Sequence, residues 1–338
     1  MLPNMDSKRW IRTDTILLTA GLLLIGYLLG DLLLLVFAAV LLAVGLDGLS
    51  RSIAGWLPVS RGWALLGVTI GIAAVIIGSL GMSAAGLVQQ FREVSETVLD
   101  FAERVHAWLT ELGMMTMMED MNVENGVLSG AAGETAAHIM TAFGAVASLI
   151  ILVVLTLFLA AKPGLYRQGA IRLVPPDKRE LVDNTLSAVA HALRWWFLGQ
   201  FVSMALLGGT VALGLFALGI DLWFALGVLT ALLTFIPFIG PIMAAVPIVA
   251  VGFTEGMQTG LIVLVGYFVI QNIEGNVVVP MIQHKAVNLA PALLISVQVL
   301  FGLVFGAVGL ILAAPLTIVA MVSVQKLWVE HTLGDKLT

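Results

Sequence analysis

The sequence predicts an all-α polytopic membrane protein with six transmembrane spans and two re-entrant helical hairpins, which form an inverted helix-plus-hairpin repeat. Three observations lead to this class. Hydrophobic residues make up 60 % of the 338 residues, whereas charged residues make up only 11 %. A soluble domain carries roughly 25 % charged residues, so this chain could not cover a soluble surface. The apolar residues also fall in long runs, and the two longest are broken near their centres by proline or glycine.

Eight apolar segments follow one another along the chain, and a spanning helix needs roughly 20 such residues. Six of them are interpreted as single spans, namely 16–30, 32–46, 63–88, 139–161, 197–218 and 261–273. Only Asp31 separates the first two, and no small-residue cleavage site follows the first, so we expect a retained pair of spans. The other two segments, Leu222–Phe253 and Pro291–Val324, contain 32 and 34 residues and are too long for one straight crossing.

Charge placement predicts the orientation, because cytoplasmic loops carry an excess of Lys and Arg. Three bases precede the first span, and Arg51 and Arg61 lie between the second and third spans. Residues 89–138 carry nine acids and two bases, which predicts an extracytoplasmic segment. Residues 162–194 carry six bases and three acids, which returns the chain to the cytoplasm. Both termini are therefore expected in the cytoplasm.

The two long segments resemble each other. Each follows a single span, and each ends in a similar phrase, AAVPIV at Ala244–Val249 and LAAPLTIV at Leu312–Val319. Weak internal repeats of this kind are typical of transporters with broken helices near the bilayer midplane. Two kinked, tilted spans are the alternative to two re-entrant hairpins. Both arrangements leave the termini inside, but only the hairpins also leave Lys285 inside.

Enzyme chemistry is not expected, because no HExxH, GxSxG, phosphate-binding loop or strand-following GxGxxG occurs. Cysteine is absent and the five histidines are scattered, so no metal site or cofactor is expected beyond coupling to a proton or sodium gradient. Polar residues within the last third are the functional candidates, since intramembrane polar groups are costly and face a pathway or a partner. They cluster around Gln271 and Glu274, while Gln200 and Gln298 lie in other apolar segments. Gln200 and Asn272 could instead bridge helices.

Six phrases, in order, resemble the autoinducer-2 exporter family of bacterial membrane proteins across roughly residues 10–325. The phrases are LVPPDKR (Leu173–Arg179), FLGQF (Phe197–Phe201), FIPFIGP (Phe235–Pro241), QNIEGNVVVP (Gln271–Pro280), NLAP (Asn288–Pro291) and FGAVGLILAAPL (Phe305–Leu316). The resemblance implies an inner-membrane exporter of autoinducer-2 or related small molecules, or in some members a sodium/proton antiporter. It also implies a homo-oligomer, with a pentamer expected.

Polar candidates and family phrases together define the predicted translocation site. It comprises Gln200, Phe235, Pro237, Gly240, Pro241, Gln271, Glu274, Asn276, Pro280 and Gln298, with hairpin tips at Gly240, Gly302 and Gly306. The expected partners are a small-molecule substrate, the lipid bilayer and other copies of the chain, and no basic patch indicates nucleic acid. A cation/proton antiporter with Glu274 as the titrating carrier is the alternative function, and a non-transporting membrane organiser is a third.

An apolar seam marks the extracytoplasmic segment. It has heptad-like spacing at Phe91, Val94, Val98, Phe101, Val105, Trp108 and Leu112. This seam is expected to contact protein, with the membrane surface as the alternative. The predicted units are a three-span scaffold (1–88), the extracytoplasmic helix (89–138), the fourth span with a cytoplasmic amphipathic helix (139–194), the transport unit (195–325) and a cytoplasmic tail (326–338).

Overall fold

The computed structural model describes residues 29–56, 58–111, 135–278 and 290–335, and all regular structure in these residues is helical. The α-helices are α1 Gly30–Trp56, α2 Arg61–Glu111, α3 Thr135–Ala161, α4 Pro163–Arg172, α5 Arg179–Ala217, α6 Trp223–Thr234, α7 Ile239–Thr254, α8 Met257–Ile273 and α9 Pro291–Val324. A 3-10 turn at Pro176–Lys178 precedes α5, and π-helical turns at Glu274–Val278 and Gln325–Leu333 follow α8 and α9.

Within these ranges, four helices are long and apolar enough to cross a membrane, or up to five if a bent helix pair counts as one span. The predicted span 16–30 lies almost entirely outside the described residues. The second predicted span continues as α1 to Trp56, ten residues past its predicted end. An all-helical membrane protein is thus what the described part of the chain forms.

Helix α2 joins two segments that the sequence separated. Its 51 residues extend over about 77 Å, so the predicted third span and the predicted extracytoplasmic helix are one helix. Of the apolar seam, Val94 is 4 % exposed and packs in a cluster with α5, α6, α7 and α8. The Phe101 ring stacks on that of Phe253, with 6.0 Å between centroids. The described part of the seam therefore contacts this same chain.

Helix α5 likewise merges the predicted cytoplasmic amphipathic helix with the fifth span into 39 continuous residues. The unit boundary predicted at 194/195 lies inside this helix. Arg167 of α4 forms an ion pair with Asp183 of α5 at 2.6 Å, so α4 is attached to the polar end of α5.

The first long segment turns back on itself between α6 and α7. Phe238 has φ 65° and is the only non-glycine residue with positive φ in the described ranges. A Cβ on Gly240 would lie 1.8 Å from the Leu233 carbonyl oxygen. Residues seven apart in a straight helix would be about 10 Å apart, so the chain reverses here. Only glycine lets the two backbones approach this closely.

The second long segment has the same kind of turn. Gly306 has φ 62° and ψ −148°, which divides α9 into two arms. A Cβ on Gly309 would lie 2.2 Å from the Phe301 carbonyl oxygen, although residues eight apart in a helix are separated by about 12 Å. Each turn thus has a residue with positive φ, and a glycine that follows it lies very close to a backbone carbonyl group of the preceding arm. Gly302, predicted as a tip, lies one helical turn before the break, where its Cβ would be 3.7 Å from the Leu310 side chain.

Two apolar clusters flank the first turn. One joins α1, α5 and both arms of α9, through residues that include Leu41, Phe197 and Ile318. The other joins α5, α6, α7 and α8 and includes Leu226 and Ile248. Helix α5 therefore contributes to both clusters and holds the first turn between them.

A buried carboxylate connects four helices through a cluster of arginines. Asp47 is 5 % exposed and lies 2.9 Å from Arg51, 2.7 Å from Arg61 and 3.6 Å from Arg194. Arg61 also donates to the Ala160 carbonyl oxygen at 2.9 Å. Residues from α1, α2, α3 and α5, all predicted on the cytoplasmic side, meet at this cluster.

Candidate functional site

A cavity of about 470 Å³ lies between α5, the first turn, α8 and the start of α9. Its walls are largely apolar, with Trp196, Phe238 and Phe268 among the lining residues. Polar side chains line it as well, namely Gln200, Ser203, Thr234, Tyr267, Gln271 and Glu274. Apolar walls with a few convergent polar groups are typical of small-molecule sites.

The turn beside the cavity is held by side chains from three other elements. Gln200 of α5 donates to the Thr234 carbonyl oxygen. Gln298 of α9 donates to the Pro237 carbonyl oxygen at 2.8 Å, and the Tyr267 hydroxyl of α8 donates to that of Pro241 at 2.6 Å. Proline interrupts the helical ladder here because it has no N–H group. The carbonyl groups around this break therefore receive donors from side chains, which a buried backbone requires.

Glu274 forms an acidic corner of the cavity. It is 7 % exposed and lies at the first residue of the π-helical turn that follows α8. Gln271 Nε2 donates to its carboxylate at 3.3 Å. No Lys, Arg or His in the described ranges comes within 4.0 Å of it. A buried carboxylate without a cationic partner is costly unless it is protonated or binds a cation or a donor-rich solute.

The Gln271 amide also has an acceptor that lacks a hydrogen-bond donor in the described part of the chain. Its Oε1 is buried and has no hydrogen-bond donor within the described residues. Such an unpaired acceptor costs free energy that a ligand donor could recover. Glu274 and Gln271 Oε1 together offer acceptors, which suits a proton, a small cation or a hydroxyl group.

The structure brings together half of the residues predicted for the site. The cavity-lining ones are Gln200, Pro237, Pro241, Gln271 and Glu274. Gly240 lies in the turn itself, and Phe235 packs edge-on against Trp196 at 5.7 Å between ring centroids. Asn276 is exposed and donates to the carbonyl oxygen of Asn272. Gln298 is fully buried behind the turn, while Pro280 lies outside the described residues.

Among the cavity residues that were not predicted, Tyr267, Ser203 and Trp196 have a spacing that could have indicated them. Tyr267 precedes Gln271 by four positions and Glu274 by seven, so the three share one helical face. Ser203 is three positions after Gln200 and lies on the same face of α5. Trp196 is the third, four positions before Gln200. Searching for residues at helical spacing from each polar candidate would have found all three.

Replacing Gln200 by leucine is expected to destabilise the protein by about 1–3 kcal/mol. Gln200 is the donor to the Thr234 carbonyl oxygen, and leucine would leave that buried acceptor unpaired. Thermal unfolding of the purified protein in detergent measures the change. Asn272→Leu is the matched control, since among the described residues the exposed Asn272 amide donates only to the carbonyl oxygen of Phe268 in its own helix. Equal effects of the two substitutions would contradict a bridging role for Gln200.

The described helices have exposed apolar faces, and the chain reverses twice. A cavity with apolar walls and a few polar side chains lies beside the first reversal. These features define a helical membrane protein with a site large enough for a small solute. Comparison with known proteins identifies its family. Residues 16–328 match the AI-2E family transporter profile, and the chain belongs to this family of membrane transport proteins.

The bacterial relatives are distant in sequence. The AI-2 transport protein TqsA of Escherichia coli is 28 % identical over 188 residues, which cover 54 % of this chain and 53 % of TqsA. YueF of Bacillus subtilis is 28 % identical over 177 residues, covering 51 % of this chain and 48 % of YueF. The chain thus aligns with about half the length of these two. A Haemophilus influenzae protein is 22 % identical over 320 residues, covering 92 % of this chain and 90 % of the relative.

Proposed function

We propose that this protein exports a small polar solute by alternating access, with autoinducer-2 as the leading candidate. The observation that carries the proposal is the cavity of about 470 Å³ beside a broken helix, since small-molecule sites occupy about 300–1,000 Å³. Family membership supports transport, and the printed name of TqsA supports autoinducer-2 as the solute to test first. The buried acceptors at Gln271 and Glu274 suit the hydroxyl donors of such a solute.

The proposed topology has six spans and two re-entrant hairpins, with residues 89–138 outside and both termini in the cytoplasm. The reversals at Gly240 and Gly309 support hairpins that enter the membrane and leave on the same side. Broken backbone at membrane depth is tolerated where it is buried in protein or lines a wet cavity. The cavity beside the first turn meets that condition. The bases around Asp47 support the cytoplasmic assignment of that side.

The moving unit in this proposal comprises α5 to α9, and the earlier spans form the scaffold. The proposed assembly is a homo-oligomer, with a pentamer expected from the family resemblance. The contact between α1 and the α5/α9 surface is the interface across which the unit would move, because cluster residues of α1 pack directly on both helices.

Sodium or lithium/proton antiport is the second candidate function. The observation that favours it is the Glu274 carboxylate, which is buried, lines the cavity and has no cationic partner among the described residues. Ion-coupled transport needs an ionisable group of this kind on the pathway. Glu274 would bind the cation and the proton alternately.

Glu274→Gln separates the two functions. Flux of labelled autoinducer-2 is measured in proteoliposomes with and without proton and sodium gradients. Under solute export, Glu274→Gln is expected to slow flux by roughly tenfold or less, because a neutral amide loses a charged hydrogen bond worth about 1.5 kcal/mol while the cavity keeps its shape. Under antiport, the same substitution abolishes the change in pH inside the proteoliposomes that a sodium gradient drives.

Glu255→Gln is the matched control, since Glu255 is an exposed carboxylate at the end of α7. It should leave both activities unchanged. Wild-type protein that moves neither autoinducer-2 nor ions under any gradient would contradict both candidate functions.

A further inference from the structure

Helix α4 leaves the fourth predicted span at a sharp angle. Residues 147–161 of α3 and helix α4 are bent by 85° with respect to each other. The α3 segment exposes large apolar side chains, including Ile150 at 58 % and Phe158 at 63 %, as a lipid-facing helix does. A helix perpendicular to such a span runs along the membrane surface. Trp63, 71 % exposed near the Asp47 cluster, fits an aromatic belt at the same level.

Helix α4 and the turn after it expose apolar side chains that no other described part of the chain covers. No residue of α4 is buried. Leu165 is 64 % exposed, and Leu173 at 88 % is the most exposed large apolar side chain in the described ranges. In an aqueous setting these groups would be unfavourable, whereas at a membrane interface they reach the acyl boundary.

The same segment carries unpaired positive charge. Residues 162–179 contain five bases and one acid, Asp177. Arg167 pairs with Asp183, and Arg179 donates to the Val174 carbonyl oxygen. The other three bases, Lys162, Arg172 and Lys178, have no carboxylate within 4.0 Å in the described part of the chain.

We propose that residues 162–179 bind the anionic phospholipid headgroups of the adjacent leaflet, which the proposed topology makes the cytoplasmic one. Leu165 and Leu173 enter the acyl boundary, and the three unpaired bases contact lipid phosphates. The unpaired bases favour this partner, because polybasic interfacial segments are attracted to anionic lipids. The position of α4 at the membrane surface favours it as well. The Arg167–Asp183 ion pair holds the surface against α5 and so connects bound lipid to the helix that lines the cavity.

The test uses the absence of cysteine from the chain. The full-length Leu173→Cys variant is labelled with a small fluorophore and reconstituted in phosphatidylcholine vesicles. Either brominated phosphatidylglycerol or brominated phosphatidylcholine is then added as the quencher. Stronger quenching by phosphatidylglycerol is expected, and it should weaken as salt rises. Replacing Lys162, Arg172 and Lys178 by glutamine should lower the preference for phosphatidylglycerol over phosphatidylcholine by about fivefold per base.

Two controls make the outcome decisive. Lys326→Gln removes one charge elsewhere, from a base that is paired with Glu330 at 2.6 Å, and should leave the preference intact. A label at Leu213, 68 % exposed in α5, should be quenched without headgroup preference. Equal quenching at Leu173 by the two lipids would overturn the proposal. Protection of Leu173 from both lipids would also overturn it and would indicate that water or a neighbouring subunit covers this surface.

Discussion

Replacing Gly240 or Gly309 by alanine is expected to destabilise the protein by about 3 kcal/mol or more for each substitution. The new methyl group would lie 1.8 Å from the Leu233 carbonyl oxygen at Gly240, and 2.2 Å from that of Phe301 at Gly309. Overpacking costs about 1–3 kcal/mol where side chains can adjust, and here the obstacle is backbone. Each substitution would force its own hairpin to open, and at Gly240 this also moves the cavity wall. Thermal unfolding in detergent and transport in proteoliposomes measure the two consequences.

Matched substitutions are available in α5 and α9. Gly209→Ala in α5 adds a methyl group with nothing within 4 Å, and Gly302→Ala meets only the Leu310 side chain at 3.7 Å. Because alanine is favoured over glycine in helices by about 1 kcal/mol, these two variants should be as stable as the parent or more stable. A similar loss of stability in all four variants would contradict the close backbone approach at the two turns.

Replacing Asp47 by asparagine is expected to cost about 3 kcal/mol. Breaking a buried ion pair by removing one partner costs about 3–5 kcal/mol, and the lower end applies because the Arg51 and Arg61 side chains are 55 % and 38 % exposed. Arg61 and Arg194 would lose their shared carboxylate, and α1, α2 and α5 would lose their common anchor. The melting temperature of the purified variant measures the loss.

Asp183→Asn is the control for Asp47. It removes the partner of Arg167 from a pair whose side chains are 44 % and 43 % exposed, which is worth less than about 1 kcal/mol. The effect of Asp183→Asn should also shrink as salt is raised, whereas that of Asp47→Asn should change little. Equal costs for the two substitutions would contradict a buried anchor at Asp47.

The pattern of prolines and glycines predicted where the two long segments break. It did not predict which residue makes the turn. Gly302, Gly306 and Gly309 all lie in the second segment, and composition does not distinguish them. Tertiary structure places the non-helical backbone at Gly306 and uses Gly309 for the close approach. The choice depends on which glycine faces the opposite arm, and that is a property of packing.

The sequence pattern also did not show which polar candidates hold the fold and which line the cavity. Gln200 and Gln298 were predicted to contact solute, yet each donates to a carbonyl oxygen of the first turn. In an apolar interior a freed carbonyl group needs a donor, so the nearest amides are used for the fold. Gln271 and Glu274 line the cavity and donate to none of the turn carbonyls.

The sequence alone determined the membrane class, the apolar segments and the breaks in the two long ones, the family resemblance and the polar cluster around Gln271 and Glu274. These properties depend on composition and on spacing within one helix, and both can be counted along the chain. Only the tertiary structure decided that Asp47 meets Arg194 and that α2 packs against the first hairpin. Those contacts join residues far apart in the chain, and they follow from how the helices pack rather than from any local pattern.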